Sequence, residues 1–414
     1  MNSENLPYKI PALKSFNKTM DLTTSKSHSN RALILGAVRG NNFKVYNISK
    51  STDVINMISA FKKMGLKMKV DDTSVVFENS FPECEKDIAG DIVELHTGDG
   101  GTTNRFLIAL LARGKKEYHL FPTEKMSERP IDDLLRPLQK LNVSVERDTS
   151  MKPNAPWVKV KGPASLYNTT KLEVDCEKST QFATALMLAF SNLPLQFEFL
   201  NLHASEAYLH MTSLVIKKSL GPNSYTVPVD FSSLGYPTAL AAVLGRIHIA
   251  NCKEIDASQA DSVFVDLLSK CGAHVTLTDS GLEVKKGMEL KPFSFDVSSA
   301  PDLFPTLVFF AAHIEGVTTF KNLGILLFKE SDRLAEMISL MNSFGVEMEH
   351  NSKEDWLKIK GSSAKVYKSA TIKPARDHRI VMAAALFMMK NSGGDLYETD
   401  CVEKSFPNFL SLLE

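Results

Sequence analysis

Five times along this chain an amphipathic helix ends in a glycine or asparagine and runs at once into a short stretch of strand character. FKKMGLKMKV turns at Gly65, LQKLNVSVERD at Asn142, KKSLG at Gly221, LLSKCGAHVTLTD at Gly272 and LMNSFGVEMEH at Gly345. Glycine and asparagine tolerate the left-handed backbone that closes a helix, and a period of two marks a strand with one buried face. Gly65, Asn142 and Gly221 lie 77 and 79 residues apart, and Gly272 and Gly345 lie 73 apart. Regular recurrence of this kind means a repeated supersecondary unit. The shorter step from Gly221 to Gly272 breaks the series near YTVPVDFSSLGYP, which places a domain junction at residues 226–231.

Each unit carries a second helix with a different opening. The starts are SKSHSNR (25–31), GDGGTTNR (98–105), STQF (179–182), DFSSLGYP (230–237), APDLFPT (300–306) and DHRIVM (377–382). Apolar runs such as FLIALLA, ALMLAF and LVFFAA follow them, so these helices are expected to be buried along their length and polar at their N-termini. Six units, three before and three after the junction, predict an α/β protein of two domains in which helix N-termini converge on a cleft. Residues 1–24 with 230–414 are expected to form one domain and 25–229 the other, with crossovers near 23–26 and 226–231.

The 414 residues are 43% hydrophobic and carry no net charge, so any affinity for anions must come from local clustering, and a general nucleic-acid binder is excluded. Five scattered cysteines (Cys84, Cys176, Cys252, Cys271, Cys401), with no C-x-x-C pair, suggest neither a disulfide framework nor a zinc site. The polar start MNSENLPYKIP and the lack of an apolar run of about 18 residues point to a soluble cytoplasmic protein without a membrane span.

Cations nevertheless gather at the helix openings: Lys26, Arg31, Arg105, Arg129 in EKMSERP, Lys329 and Arg333 in FKESDR, Arg379 in DHR and Lys404 in EKSFP. A helix N-terminus already carries about half a positive charge, so lysine and arginine are disfavoured there unless an anion lies between them. Taken singly, each is more often a solvated charge. Taken together, they suggest a site for more than one phosphate or carboxylate.

The ordered set TSKSHSNR, GDGGTTNR, KMSERP, STQF, SEAYLHMT, APD, KESDR, DHR and EKSFP, from residue 25 to residue 407, resembles the 5-enolpyruvylshikimate-3-phosphate synthase family. The resemblance implies two similar domains, each of three βαβαββ units in an inside-out α/β barrel, with the substrate cleft between them. It implies transfer of the enolpyruvyl group of phosphoenolpyruvate to the 5-hydroxyl of shikimate 3-phosphate with release of phosphate, without cofactor or metal, by a monomer. Carried over by position, Lys26, Ser27, Arg31, Ser179, Thr180, Gln181, Ser205, Asp302 and Lys329 would hold shikimate 3-phosphate. Lys26, Gly101, Arg129, Gln181, Arg333, Arg379 and Lys404 would hold phosphoenolpyruvate, or the inhibitor glyphosate in its place. Lys26 would lie between the two substrates, Asp302 would take the proton of the 5-hydroxyl, and Glu330 would protonate the methylene carbon. Tyr208 in SEAY is either a further contact or core packing.

Thr23-Thr24-Ser25 stands where the family has Pro-Gly-Ser, and Asp99, Phe106, Ile325 and Leu327 also depart from its pattern. None of these removes a charged ligand. UDP-N-acetylglucosamine enolpyruvyl transferase, the nearest alternative, has a cysteine in the loop that here reads PTEKMSERP. The other reading, a binding protein that has lost turnover, is opposed by Asp302, Glu330 and the full set of cations.

Overall fold

The computed structural model describes residues 6–148, 150, 155–167, 169–202, 205–221 and 223–414. The chain forms two compact units of mixed α/β structure, one of residues 24–228 and one of residues 1–23 with 229–414. Both are built by repetition.

In the 24–228 unit the pattern is clearest in the middle. Strand Ile92–Gly98, helix Gly101–Leu111, strand Glu117–Pro122, helix Asp132–Lys140 and the strands Ser144–Arg147 and Val158–Lys161 form a βαβαββ unit. Its first two strands are parallel, with Val93 opposite Tyr118, and the last pair is antiparallel. The preceding repeat takes its first strand from the far end of the unit: Ser224–Thr226 returns to lie parallel to Phe43–Tyr46, with Tyr225 opposite Val45. Strands Ser74–Phe77 and Met68–Val70 complete that sheet. Among the described residues the third repeat has only the parallel pair Lys171–Asp175 and Gln196–Leu200, with helices Gln181–Ala189 and Glu206–Lys218.

The other unit repeats the plan. Phe16–Met20 lies parallel to Gly245–Ile249, and the hairpin of His274–Thr278 and Gly281–Lys285 completes that sheet. A second sheet runs Ser294–Asp296, Gly316–Lys321, Trp356–Gly361, Glu347–Asn351. The third pairs Ala370–Ile372 with Gly394–Leu396, and Tyr8–Ile10 closes its edge antiparallel. Among the described residues four of the six repeats are therefore complete βαβαββ units, and the third in each unit is shortened.

Left-handed residues close the helices at Gly65 (φ +84°), Asn142 (φ +58°), Gly272 (φ +101°) and Gly345 (φ +78°). Gly221 departs from the expected series, since its φ lies outside the left-handed region. The strand after it belongs to a different sheet, so the chain does not fold back on helix Glu206–Lys218 and needs no left-handed reversal there.

All six polar-mouthed helices form where the sequence places them. Helix Phe304–Ala312 is buried at every residue, and in Gly101–Leu111 only Thr102 is not. In the unit that contains residues 229–414, Phe387 packs edge-on against Phe309 at 5.5 Å and stacks on Phe344 at 5.1 Å. Beside them His313 is buried, its Nδ1 2.7 Å from the Phe309 carbonyl and its Nε2 3.0 Å from the Asn391 amide nitrogen. Nδ1 donates and Nε2 accepts, which is the neutral ring. Burial pushes its pKa down to about 4, below the unfolded value of about 6.5. His313 thus contributes stability that is fully present above pH 6.5 and is lost as pH falls toward 4. His313→Gln should flatten the acid limb of a Tm-against-pH curve between pH 6.5 and 4; an unchanged slope would assign that limb to other groups.

Candidate active site

In the 24–228 unit, helix Lys26–Arg39 is capped by Ser25, whose Oγ accepts from the His28 amide at 3.3 Å, and has no acid in its first turn. Lys26 Nζ instead reaches Asp53 Oδ2 at 3.0 Å. Asp53 is buried in the first turn of helix Thr52–Lys63, and Gly100 sits so close that a Cβ there would lie 2.6 Å from its Oδ1. Sequence reasoning missed Asp53, because an acid in a helix first turn reads as a dipole partner and nothing more.

Arg31 is buried. Its Nε donates to Thr212 Oγ1 at 2.9 Å, Nη1 to the Ser27 carbonyl at 2.9 Å and Nη2 to the Tyr208 carbonyl at 3.3 Å. Its guanidinium carbon lies 5.6 Å from the centre of the Phe106 ring and 6.0 Å from that of Tyr208. The departure at Phe106 thus supplies an aromatic face to a candidate cation. Arg105, also buried, donates to Gln181 Oε1 at 2.7 Å and the Pro130 carbonyl at 2.8 Å, with Phe182 beneath it at 4.9 Å. Neither arginine has a carboxylate in an ion pair among the described residues. Burial lowers Arg31 to about 10, and burial with the neighbouring Arg129 lowers Arg105 well below its usual value. Two buried guanidiniums whose described partners are neutral make this region electropositive.

Arg129 lies against the glycine loop at the start of helix Gly101–Leu111, where a Cβ on Gly101 would meet its Nη1 at 2.5 Å. That helix has Gly100 at its cap position, no side-chain cap and no acid in its first turn. Thr180 Oγ1 donates to the Ser205 carbonyl at 3.4 Å, and Ser179 Oγ accepts from the Gln181 amide at 3.2 Å. Ser205 heads helix Glu206–Lys218 in a left-handed conformation, φ +61°. These bonds tie Gln181 to Arg105 and its chain neighbour Thr180 to Ser205. Asp99, a further departure, accepts from Thr123 Oγ1 at 3.2 Å on the exposed side of the loop.

The other unit gathers a second set. Asp302 lies in the turn Pro301–Leu303, ahead of helix Phe304–Ala312. Its Oδ1 accepts from Arg333 Nη1 at 2.7 Å and its Oδ2 from Arg379 Nη2 at 2.8 Å. Arg333 Nε also donates to Asp377 Oδ2 at 2.8 Å, and Asp377 caps helix His378–Lys390 by accepting from the Arg379 amide at 3.0 Å. Burial alone would raise the Asp302 pKa, but Arg379, Arg333 and Lys329 outweigh it and hold the carboxyl well below its usual range. Glu330 sits between Lys404 Nζ at 3.1 Å and His378 Nδ1 at 3.0 Å. The donor atoms of Glu330, Asp377 and His378 come within 4.8 Å of one another, a spacing that suits a metal, but these carboxylates already hold Lys404 and Arg333.

Asp261, which sequence reasoning also missed, is buried nearby and accepts from Ser232 Oγ. Burial first, then the charge of Asp302, pushes it up to about 6. A cavity of about 1060 Å³ in the same unit, lined by Leu323, Leu327, Leu334 and Ile338 with Asp332 and Asp355, includes none of the candidate residues.

The described structure thus groups Lys26, Ser27, Arg31, Gly101, Arg129, Ser179, Thr180, Gln181 and Ser205 within one unit. It groups Asp302, Lys329, Glu330, Arg333, Arg379 and Lys404 within the other.

Among curated proteins the chain is similar to the 3-phosphoshikimate 1-carboxyvinyltransferases of Pasteurella multocida, 28% identical over 94% of this chain and 92% of that protein, and of Histophilus somni, 27% identical over 95% of each. Among solved structures it resembles the EPSP synthase of Acinetobacter baumannii, with a TM-score of 0.73 at 20% identity, covering 98% of this chain and 96% of that one. It also resembles the enolpyruvyl transferase NikO of Streptomyces tendae, with a TM-score of 0.70 at 13% identity, covering 99% of this chain and 97% of that one. The family model described as EPSP synthase (3-phosphoshikimate 1-carboxyvinyltransferase) matches residues 11–222 and 215–413, and the chain belongs to that family.

Proposed function

We propose that this chain carries out its family's reaction with the residue roles that follow. Shikimate 3-phosphate is held by Lys26, Ser27, Arg31, Ser179, Thr180, Gln181 and Ser205, with Asp302 and Lys329 from the other unit. Phosphoenolpyruvate is held by Lys26, Gly101, Arg129 and Gln181, with Arg333, Arg379 and Lys404. The observation that carries this reading is Asp302 shared between Arg333 and Arg379, a pairing in which an internal carboxylate occupies two guanidiniums suited to a substrate anion.

Binding of phosphoenolpyruvate exchanges its anionic groups for Asp302 on those arginines. Released from them, Asp302 loses the charges that depress its pKa and becomes a competent acceptor for the proton of the 5-hydroxyl. The oxygen adds to C2 of phosphoenolpyruvate while Glu330, in contact with Lys404 and His378, protonates the methylene carbon. Loss of phosphate and of a methyl proton from that adduct restores the double bond. Lys26 neutralises charge on both substrates.

Phosphate release from phosphoenolpyruvate tests the reading. Release is expected with shikimate 3-phosphate and not with UDP-N-acetylglucosamine. The reverse would reassign the acceptor, and no release with either would favour a binding protein.

Gly101→Ala gives a sharper test of the pocket. The new methyl displaces the Arg129 guanidinium, and misplacing a substrate-binding group by about 1 Å can cost tenfold or more. The KM for phosphoenolpyruvate should rise about tenfold and the inhibition constant for glyphosate more, since the longer ligand has less room to shift. If both constants stay unchanged, Gly101 does not line the pocket.

A further inference from the structure

The shortened repeat of the 24–228 unit leaves a sheet edge that the complete repeats cover. In each complete repeat the second parallel strand is flanked on its outer side by an antiparallel strand: Glu117–Pro122 by Val158–Lys161, Phe43–Tyr46 by Ser74–Phe77, Gly245–Ile249 by Gly281–Lys285, and Gly316–Lys321 by Trp356–Gly361. Strand Gln196–Leu200 is the equivalent in the third repeat, and among the described residues it pairs only with Lys171–Asp175. In that parallel register the Cys176 amide bonds to the Leu200 carbonyl and the Gln196 amide to the Thr170 carbonyl. The backbone groups of the alternate residues, Phe197 and Phe199, therefore point to the open side.

The side chains tell the same story. The inward residues of the flanked strands are fully buried: Tyr118 and Leu120, Phe43 and Val45, Ile247 and Ile249, each at 0% exposure. Phe197 and Phe199 are only half-buried, as are Leu195, Leu202 and Ile216 around them. An unpaired edge beside incompletely covered aromatic rings is where an extended peptide adds to a sheet.

The complete repeats also show what fits. Two of the four flanking strands alternate apolar residues facing the core with lysines facing outward: Val158, Lys159, Val160, Lys161 in one and Leu357, Lys358, Ile359, Lys360 in the other. Outward-facing Glu117 lies opposite Lys161. Glu198, the outward residue at the centre of the open edge, is half exposed, with Lys171 as its ion-pair partner at 2.7 Å. We propose that the edge of Gln196–Leu200 is a docking site for an extended segment of a partner protein that alternates apolar and basic residues and adds antiparallel to the sheet. A second copy of this chain fits worse, because antiparallel self-pairing centred on Glu198 sets like charges opposite each other.

The full chain is titrated with a fluorescein-labelled nine-residue peptide, TKVKVKVKT, followed by anisotropy and by amide hydrogen exchange. Saturable binding is expected, with new protection of the Phe197 and Phe199 amides. Glu198→Lys should weaken it about tenfold and create affinity for the glutamate counterpart TEVEVEVET, while phosphate release from phosphoenolpyruvate stays unchanged. N-methylation of the peptide's valine amides should abolish binding. The proposal is overturned by any of three results: no saturable binding at millimolar peptide, binding indifferent to the charge swap or to N-methylation, or protection of the same amides without peptide in a dimer seen by sedimentation.

Discussion

Asp302→Asn is expected to lower kcat by about 10²–10⁴ while shikimate 3-phosphate still binds detectably. The substitution keeps the size of the side chain and removes the proposed proton acceptor. It also removes the internal anion that occupies Arg333 and Arg379, so the KM for phosphoenolpyruvate should stay level or fall even as turnover collapses. A residue that served only as a helix-mouth ligand would give the opposite split, with KM rising and kcat preserved. Stability should drop by about 1–3 kcal/mol, less than for a fully buried pair, because Arg333 keeps Asp377 and the Asp302 side chain is 21% exposed. Steady-state kinetics with both substrates and a urea melt separate these effects. A variant with kcat within about threefold of the parent would reassign the base.

Lys26→Met should cost about 2–5 kcal/mol in kcat/KM, through the loss of a cation that, on the proposed reading, serves both anionic substrates. The same change strands Asp53, whose side chain is 4% exposed and whose ion-pair partner is Lys26 at 3.0 Å. Instability must therefore be separated from lost catalysis. Adding Asp53→Asn removes the stranded charge, so the double variant should regain thermal stability and remain inactive. Should Lys26→Met alone hold kcat/KM within about threefold, well under 1 kcal/mol, the proposed site is wrong. If the double variant recovers activity along with stability, Lys26 is a structural residue.

Particular residues show where sequence reasoning stops. Ser25 caps its helix, Gly65, Asn142, Gly272 and Gly345 turn left-handed, and six apolar helices begin at polar mouths, all as the local pattern predicts. Gly221 fails because its role depends on a hairpin that the third repeat does not build among the described residues. The pairing of Ser224–Thr226 with Phe43–Tyr46 joins strands about 180 residues apart, and no local signal marks it. Asp53 and Asp261 escape sequence reasoning for a related reason, since an isolated acid looks alike whether it is solvated or buried against another charged group.

The amino-acid pattern by itself determined the repeat, the helix boundaries and which cations sit at helix mouths, because helix capping, left-handed turns and periodicity are settled by neighbours a few residues apart. Tertiary structure alone decided that Asp302 would be shared by Arg333 and Arg379, that Arg31 would rest on Phe106, and that one sheet edge would be left open beside Phe197 and Phe199. Charge pairing and strand pairing depend on distances between segments remote in the chain, and those distances exist only once the cores have packed.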